Sequence, residues 1–243
     1  AGTPLGQLVV VDNGSQDGTR EYLASVPFGE VVLNKKNLGC GVAWNQGALV
    51  RQSEWTIIMN NDVLVNNHWV ERLIDAAERL NVKVISPAMI EGVLDYDFMS
   101  FGRTAESRML STERMGGKHA VCLAVHCSVW SDVGYFTPKP QLLGYEDTLF
   151  FNDLERAGIS TAITGAVWIH HFGSVTQNQM KKEQGLASSE ALGNRLNYKM
   201  LGLSWSDRKI RQLKRKSLER RWNKKEKQMF DMTLHGVRVN GDF

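Results

Sequence analysis

The chain has 243 residues, 42% hydrophobic and 23% charged, with a formal net charge of +3, and this composition suits one large soluble α/β domain with an appendage. No apolar run approaches the roughly 20 residues that span a bilayer, and no signal-like start is visible, which argues against a membrane-spanning protein and predicts a cytoplasmic one. The three cysteines, Cys40, Cys122 and Cys127, form no CxxC pair, which excludes a disulfide framework and a cysteine-based zinc site.

In the first ninety residues, short apolar runs alternate with segments of helical periodicity. The runs predict strands at 8–11, 31–33, 55–59 and 82–86, and the segments between them predict helices at 19–25, 39–50 and 69–80. The last of these helices has the apolar spacing of an amphipathic helix. This alternation predicts an α/β fold with a largely parallel sheet that helices cover on both faces.

The pattern weakens from 91 to 118, where we expect a long loop or short irregular strands. The remaining predicted elements are strands at 121–129 and 161–169, a helix at 150–157, a polar mobile loop at 176–185, and helices at about 188–203 and 206–230.

Basic residues are concentrated towards the end of the chain. Residues 208–227 hold eleven Lys or Arg against two Glu, so the rest of the chain is net acidic. Apolar residues cover about half of a helical wheel among these cations, namely Ile210, Leu213, Leu218, Trp222 and Met229. The segment predicts a cationic amphipathic helix. Such a helix can lie on anionic lipid, contact nucleic acid, or pack on the domain with a charged outer face.

Carboxylates follow apolar runs in three segments: VVVDNGSQDGT at 9–19, IIMNNDVLV at 57–65 and GYEDTLF at 144–150. In an open α/β sheet, ligands bind beyond the carboxyl ends of the strands. A further polar segment, IHHFGS at 169–174, follows the last predicted strand. In this order the four segments resemble those of family 2 glycosyltransferases, which use nucleotide-sugar donors and have a GT-A fold. The resemblance covers about residues 7–176.

The resemblance implies a Rossmann-like GT-A fold with a nucleotide-binding part at about 1–90, an acceptor part at about 91–180, and a C-terminal helical extension at 181–243. It also implies inverting, metal-assisted transfer of a sugar to an acceptor hydroxyl. Family members begin with a strand and a P-x-Y/F-N-like segment ahead of the DNGS strand, whereas only Ala1 to Gln7 precede that strand here. We therefore expect either a truncated or processed form, or another element in the place of the first strand.

The DNGS segment at 12–15 is by itself typical of an Asx turn that caps the next helix, although its carboxylate can also bond a pyrimidine base or a ribose hydroxyl. The segment NLGCGVAWN at 37–45 resembles the family's N-x-G-x-(G/A)-x-A-x-N segment, in which glycine allows close approach to the donor. By this resemblance Asp12 contacts the base. The implied donor-binding residues are Asp12, Asn13, Ser15, Asn37, Gly39, Gly41, Asn45, Asn60 and Asn61.

Asn60-Asn61-Asp62 matches the family's D-x-D-like metal motif with a single acid, and a polar turn capped by Asp62 is the alternative. By the resemblance Asp62 binds Mn²⁺ or Mg²⁺, and oxygen ligands suit both ions. A divalent cation neutralises the charge that develops on the leaving diphosphate. HHFGS looks like the family's late histidine motif. Its H-x-G spacing favours His171 as a ligand of the metal or the diphosphate, with His170 as second choice.

Inverting transfer needs a carboxylate that takes the proton of the attacking hydroxyl. Glu146-Asp147 resembles the family's E-D motif at a helix start, which implies Asp147 as the base and Glu146 as a supporting or acceptor-binding group. The reverse assignment stays open. The alternative is that both acids only complement the helix dipole, an effect of about 0.3–1 kcal/mol each.

The resemblance implies a UDP-sugar as first choice of donor, with dTDP- and GDP-sugars as further candidates, and a glycan or lipid-linked acceptor. Residues 208–227 would then contact an anionic membrane at its inner face, or nucleic acid if the acceptor is a modified DNA base. A non-catalytic sugar- or nucleic-acid-binding protein on a GT-A fold is the alternative function. A nucleotidyltransferase is disfavoured because no Gly-rich, Lys- or Arg-bearing phosphate loop lies near the start. The sugar, the acceptor and the oligomeric state do not follow from the sequence.

Overall fold

The computed structural model describes residues 3–138, 146–173 and 199–238. The strands in these ranges are β1 (Val9–Asp12), β2 (Glu30–Leu33), β3 (Trp55–Met59), β4 (Val63–Val65), β5 (Val84–Gly92), β6 (Glu113–Met115), β7 (Cys122–His126), β8 (Thr161–His171) and β9 (His235–Arg238). The α-helices are α1 (Thr19–Ser25), α2 (Cys40–Val50), α3 (Trp69–Leu80), α4 (Phe98–Met109), α5 (Cys127–Val133), α6 (Glu146–Arg156) and α7 (Trp205–Phe230).

The main sheet has seven strands in the described ranges, with the order β3-β7-β5-β8-β4, while β6 pairs with β8 and β9 pairs with β5. Strand β5 runs parallel to β8 and β9, whereas β3–β7, β5–β7, β4–β8 and β6–β8 are antiparallel pairs. The α/β prediction is confirmed, but the prediction of a largely parallel sheet is wrong. Strands β4 and β6 have three residues each, too few to show a periodicity, and together with β7 they run against β5.

Strands β1 and β2 form a separate parallel pair, with Val9 opposite Glu30 and Asp12 opposite Leu33. Helix α2 packs on β1 and also contacts β3, so it lies across the division between the two sheets. In the described part of the chain, no strand pairs with the second edge of β1 or of β3. The three valines of β1 are accordingly only half-buried. Among the described residues, therefore, no other strand fills the place of the expected first strand beside β1.

Helices cover both faces of the main sheet because successive strand residues point to opposite sides. On one face, Ile85 packs with Leu73 of α3. On the other face, Val84 packs with Phe150 and Leu154 of α6. All eleven residues of β8 are buried, as expected for a strand covered on both sides. This core places the ends of β5 and β8 beside the turn between β3 and β4.

The prediction of a long loop at 91–118 is wrong, because this segment contains α4, while the alternative of short strands is met only by β6. Asp97 caps α4 by accepting a hydrogen bond from Ser100 N at 3.2 Å. Gly102 interrupts the helical pattern in the sequence, yet it lies against Asn66, and a Cβ at this position would come within 2.0 Å of Asn66 Nδ2. The predicted strand at 121–129 ends at His126, before α5. The predicted loop at 176–185 and most of the predicted helix at about 188–203 lie outside the described residues.

Helix α7 confirms the predicted helix at 206–230 and begins with a capping box formed by Ser204 and Asp207. The prediction that it is amphipathic is wrong, because its apolar and cationic side chains are not separated into faces and every residue from 209 to 218 is exposed. After α7, strand β9 returns to pair with β5, which the sequence analysis missed. Among the described residues, no helix is both long and apolar enough to cross a bilayer. The roles on lipid or nucleic acid stay predictions.

One titratable group in the fold gives a prediction about acid stability. The Nε2 atom of His119 lies 2.9 Å from the Pro87 carbonyl oxygen, and the buried Nδ1 atom has no hydrogen-bond partner among the described residues. Desolvation lowers the pKa of His119 to about 4, and the bond to Pro87 opposes this only in part. The charges of His235 and His171 lower the pKa further, while that of Glu91 raises it.

Because the unfolded chain binds this proton near pH 6.5, we expect stability to fall as the pH drops from about 6.5 to about 4, by on the order of 3 kcal/mol. His119→Gln removes the titration and should flatten this part of the profile. Urea unfolding at pH 7, 5.5 and 4.5 measures the effect. Replacement of exposed His68 by Gln is the matched control, and an unchanged pH slope in the His119 variant would contradict the prediction.

Candidate active site

Asp12 ends β1 and is buried, with both carboxylate oxygens engaged. Ser15 N donates to Oδ1 at 3.0 Å, and Arg20 Nε donates to Oδ2 at 2.9 Å. Burial raises the pKa of Asp12, but the hydrogen bonds from Ser15 and Arg20 outweigh it, so the pKa is lowered. The carboxylate therefore remains ionised and fixes the turn from β1 into α1. This arrangement fits the Asx turn, and the base-binding role of Asp12 stays a prediction.

Side-chain amides join this turn to the loop that leads into α2. Asn13 Nδ2 donates to Asn37 Oδ1 at 2.9 Å and to Gly39 O at 3.1 Å, while Asn13 Oδ1 accepts from Leu38 N at 3.0 Å. The two loops also approach closely at Gly14, which has φ +94°, and a Cβ there would lie 2.7 Å from the backbone carbon of Lys36. The network holds Asn13, Asn37 and Gly39 together, and their role in donor binding stays a prediction.

Helix α2 is packed against the start of α6. The Asn45 side chain donates to Phe136 O at 2.7 Å and accepts from Phe136 N at 3.0 Å, so its amide ties α2 to the segment before α6. Gly41 permits the close approach, since a Cβ at this position would lie 3.3 Å from Glu146 Cβ. Of the predicted donor-binding residues, Asn45 and Gly41 thus make structural contacts from α2 to the segment before α6 and to the start of α6.

Cys40 is the first residue of α2 and precedes Gly41, which lies against Glu146. Desolvation, followed by the negative charges of Glu146, Asp147 and Asp62, raises the pKa of the Cys40 thiol to about 11. Charge interactions weaken with distance, so the charges of the second and third acidic segments reach the N-terminus of α2.

Glu146 and Asp147 form the first turn of α6, where the helix dipole favours negative charge. Glu146 is buried, and its Oε1 atom has no hydrogen-bond partner among the described residues. Asp147 is more exposed than Glu146. The pair thus combines one carboxylate that is shielded from water with one that a ligand can reach from solvent.

Asp62 lies after β3 and faces the end of β8. Its carbonyl oxygen accepts a hydrogen bond from Phe172 N at 3.1 Å, and its Oδ1 atom lies 3.4 Å from His171 Nε2. On the other side of the ring, His171 Nδ1 donates to Glu91 Oε1 at 3.1 Å. Burial lowers the pKa of His171, but Asp62 and Glu91 outweigh this effect and raise it to about 9. Two carboxylates thus hold the buried ring from opposite sides.

His170 points to the opposite face of β8 and is fully buried. Its Nδ1 atom lies 2.8 Å from the Tyr96 hydroxyl, and its ring contacts those of Phe98 and Phe172. Burial lowers the pKa of His170. Since neighbouring strand residues alternate in direction, only His171 faces Asp62, and the second-choice ligand His170 does not fit this geometry.

A sequence model of glycosyl transferase family 2 matches residues 4–131 of this chain, which is more than half of its length. The chain belongs to glycosyl transferase family 2. Among solved structures it is similar to the crystal structure of GalNAc-T7 with UDP, GalNAc and Mn²⁺, at 14% identity and a TM-score of 0.52. The match covers 70% of this chain and 38% of that one, so the chain spans well under half of that structure. The likeness shows the GT-A fold. The comparison with curated proteins gives no match.

The family match includes Asp12 and Asp62 but ends before Glu146 and His171. The structure nevertheless brings Asp62 together with His171, and α2 together with Glu146. Asn60 and Ser15 are half-buried, and Asn61 is exposed.

Several polar residues around this site carry no signal of function in the sequence: Arg20, Asn34, Gln46 and Glu91. Asn34 and Gln46 exchange two amide hydrogen bonds, Nδ2 to Oε1 at 2.8 Å and Nε2 to Oδ1 at 2.9 Å. None of these four residues belongs to a short motif. Each has its partner in a different element, which only the fold brings near.

Proposed function

We propose that this family 2 glycosyltransferase moves a sugar from a nucleoside-diphosphate sugar to an acceptor hydroxyl, with inversion and with the help of Mn²⁺ or Mg²⁺. The observation that carries the proposal is that Asp62 faces His171 at 3.4 Å while Glu146, beside Asp147 on α6, lies against Gly41 in the first turn of α2. A UDP-sugar is the preferred donor because the similar GalNAc-T7 structure is described with UDP and Mn²⁺. dTDP- and GDP-sugars remain candidates.

The residues present fit a divalent cation shared with a diphosphate. Asp62 Oδ1 and His171 Nε2 face each other at 3.4 Å, and Nε2 is buried without a hydrogen-bond partner among the described residues. In those residues, no three His, Cys, Asp or Glu side chains form a metal-binding group. A site with two protein ligands suits Mg²⁺ or Mn²⁺, which keep waters and take phosphate oxygens. When bound, the cation would supply charge neutralisation on the leaving diphosphate.

Asp147 is the proposed general base because its side chain is the more accessible of the two acids on α6. It takes the proton of the acceptor hydroxyl while the acceptor oxygen forms a bond to the anomeric carbon. The bond from that carbon to the diphosphate breaks at the same time, and its electron pair leaves with the diphosphate. Buried Glu146 supports Asp147, and acceptor binding is the alternative role for this carboxylate.

The alternative function is a non-catalytic sugar- or nucleic-acid-binding protein on the same fold. Two observations favour it: the separate β1–β2 pair beside the nucleotide loops, and a metal motif with Asp62 as its single acid. A glycan or lipid-linked acceptor suits the transferase. A modified DNA base would instead engage the exposed cations of α7. Direct assay of sugar transfer distinguishes the enzyme from the binding protein.

Nucleotide and metal binding provide the first test. UDP with Mn²⁺ at 100 times Kd should stabilise the fold by about 2.7 kcal/mol, which corresponds to a rise in Tm of about 5–10 °C for a chain of this size. Asp62→Asn should remove the part of the shift that needs Mn²⁺, because it removes the anionic ligand. A thermal-shift series with UDP, dTDP and GDP, with and without Mn²⁺, measures both effects.

The exposed residue Asp75 provides the control for this series, as Asp75→Asn. Its shift should equal that of the unsubstituted protein. If no nucleotide raises Tm, the proposed donor site is contradicted. If the rise in Tm is the same with and without Mn²⁺ and is unchanged by Asp62→Asn, the proposed metal site is contradicted.

A further inference from the structure

Four titratable side chains form a continuous chain at the end of the main sheet. Asp62 Oδ1 lies 3.4 Å from His171 Nε2, His171 Nδ1 lies 3.1 Å from Glu91 Oε1, and Glu91 Oε2 lies 3.7 Å from His235 Nε2. Strand pairing produces this chain, since Glu91 of β5 is directly opposite His171 of β8, and β9 flanks β5 on its other side. The contacts join residues that are far apart in sequence.

Glu91 fixes Nδ1 of His171 as a hydrogen-bond donor. A carboxylate can only accept hydrogen bonds, so the ring nitrogen that faces Glu91 must donate. That nitrogen is Nδ1. The other nitrogen, Nε2, is the one that faces Asp62, at 3.4 Å from its Oδ1 atom. A cation that takes the place of the Nε2 proton would therefore meet this nitrogen on the side of Asp62.

The Glu91 carboxylate also has a neighbour at its second oxygen. This oxygen, Oε2, faces His235 of β9, the strand that follows α7. Because one oxygen of Glu91 faces His171 at 3.1 Å and the other faces His235 at 3.7 Å, the carboxylate is contacted at both ends and its Oε1 acceptor stays directed at Nδ1.

From this geometry we propose that Glu91 is a positioning residue, which fixes the ring of His171 with Nε2 towards Asp62 and thereby sets the cation affinity of the site. The metal part of this inference rests on the proposed function. Partners of metal-binding histidines act in this way in other proteins, where their loss weakens metal binding by roughly 10–100-fold. Glu91 does not need to touch the donor or the acceptor for this role.

The first measurement is Mn²⁺ affinity in the presence of saturating UDP, read from the EPR signal of free Mn²⁺ without any acceptor. Glu91→Ala should weaken Mn²⁺ binding about 10–100-fold. Glu91→Gln should have a smaller effect, because its amide oxygen can still accept from Nδ1. The matched control is Asp95→Asn, which removes a neighbouring carboxylate that pairs with Arg238 and not with His171. It should bind Mn²⁺ as the unsubstituted protein does.

The second measurement does not need metal. In protein labelled with ¹⁵N-histidine, the Nδ1 proton of His171 should give a low-field, slowly exchanging NMR signal, which His171→Gln removes and thereby assigns. Glu91→Ala should abolish this signal, while Glu91→Gln and Asp95→Asn should retain it. If Glu91 only stabilised the fold, Glu91→Ala would instead lower Tm and leave this resonance in place.

The two measurements separate the proposal from the proposed function. If the unsubstituted protein takes up no Mn²⁺ but Glu91→Ala removes the Nδ1 signal, Glu91 positions His171 and the metal part of the proposed function fails. If Glu91→Ala keeps both the signal and the Mn²⁺ affinity, the positioning role is overturned.

Discussion

Asp147→Asn is expected to lower the rate of sugar transfer by about 10²–10⁴-fold, the usual contribution of general acid–base catalysis. The asparagine amide cannot take the proton of the acceptor hydroxyl, although it has nearly the same shape as the carboxylate. The effect should appear in kcat, because donor binding uses other residues. Nucleotide binding measured by thermal shift should therefore be unchanged, since α6 contributes no predicted donor contact.

Two further variants on α6 test whether the effect is specific to Asp147. Asp153→Asn makes the same chemical change about two turns further along α6 and should leave kcat unchanged. Glu146→Gln should reduce kcat less than Asp147→Asn, because Glu146 is buried beside Gly41 and acts by supporting Asp147. A larger loss in Glu146→Gln than in Asp147→Asn would reverse the two roles. Full retention of transfer in both variants would refute a carboxylate base on α6.

Short sequence motifs predict those parts of the candidate site that are formed by residues next to each other in the chain. Asp62 stands at the end of an apolar run, so its position beyond a strand could be read from the sequence. His171 was favoured over His170 by its spacing to Gly173, and the alternation of side chains in β8 separates the two in the structure. Such features depend on a few consecutive residues, whose local conformation determines where the side chains point.

Contacts between distant elements could not be predicted in this way. Glu91 meets His171 only because β5 and β8 pair in parallel, and β9 reaches Glu91 only after α7 has crossed the domain. Helix α4 was missed because Gly102 weakens its pattern, although that glycine is needed where the helix approaches Asn66. In this segment tertiary packing outweighs the local helix propensity, so the helix propensities of its residues do not predict α4.

The fold also explains how a strongly basic helix stays attached to the domain. Arg114 of β6 donates to both carboxylate oxygens of Glu226 at 2.7 Å and to Asn223 Oδ1 at 2.7 Å, and its guanidinium lies 5.5 Å from the Trp222 ring centre. Leu234 N also donates to Glu226, at 2.8 Å. The two charged side chains are only 5% and 4% exposed. A buried pair of this kind is costly to break, because the remaining charge is left in a poorly solvated place.

Arg114→Met is therefore expected to lower the free energy of unfolding by about 3–5 kcal/mol, since it leaves the Glu226 carboxylate buried without its cation. Glu226→Leu should cost a similar amount, and it also removes the acceptor of Leu234 N. The double variant should lose much less than the sum of the two single losses, because it leaves no unpaired charge. Urea unfolding at pH 7 of the unsubstituted protein, the two single variants and the double variant gives the coupling energy.

Arg79→Met is the control, because it breaks the neighbouring and more exposed pair with Glu113 and should cost at most about 1 kcal/mol. Additive losses would show that Arg114 and Glu226 stabilise the protein separately, and that the ion pair does not hold α7 to the sheet.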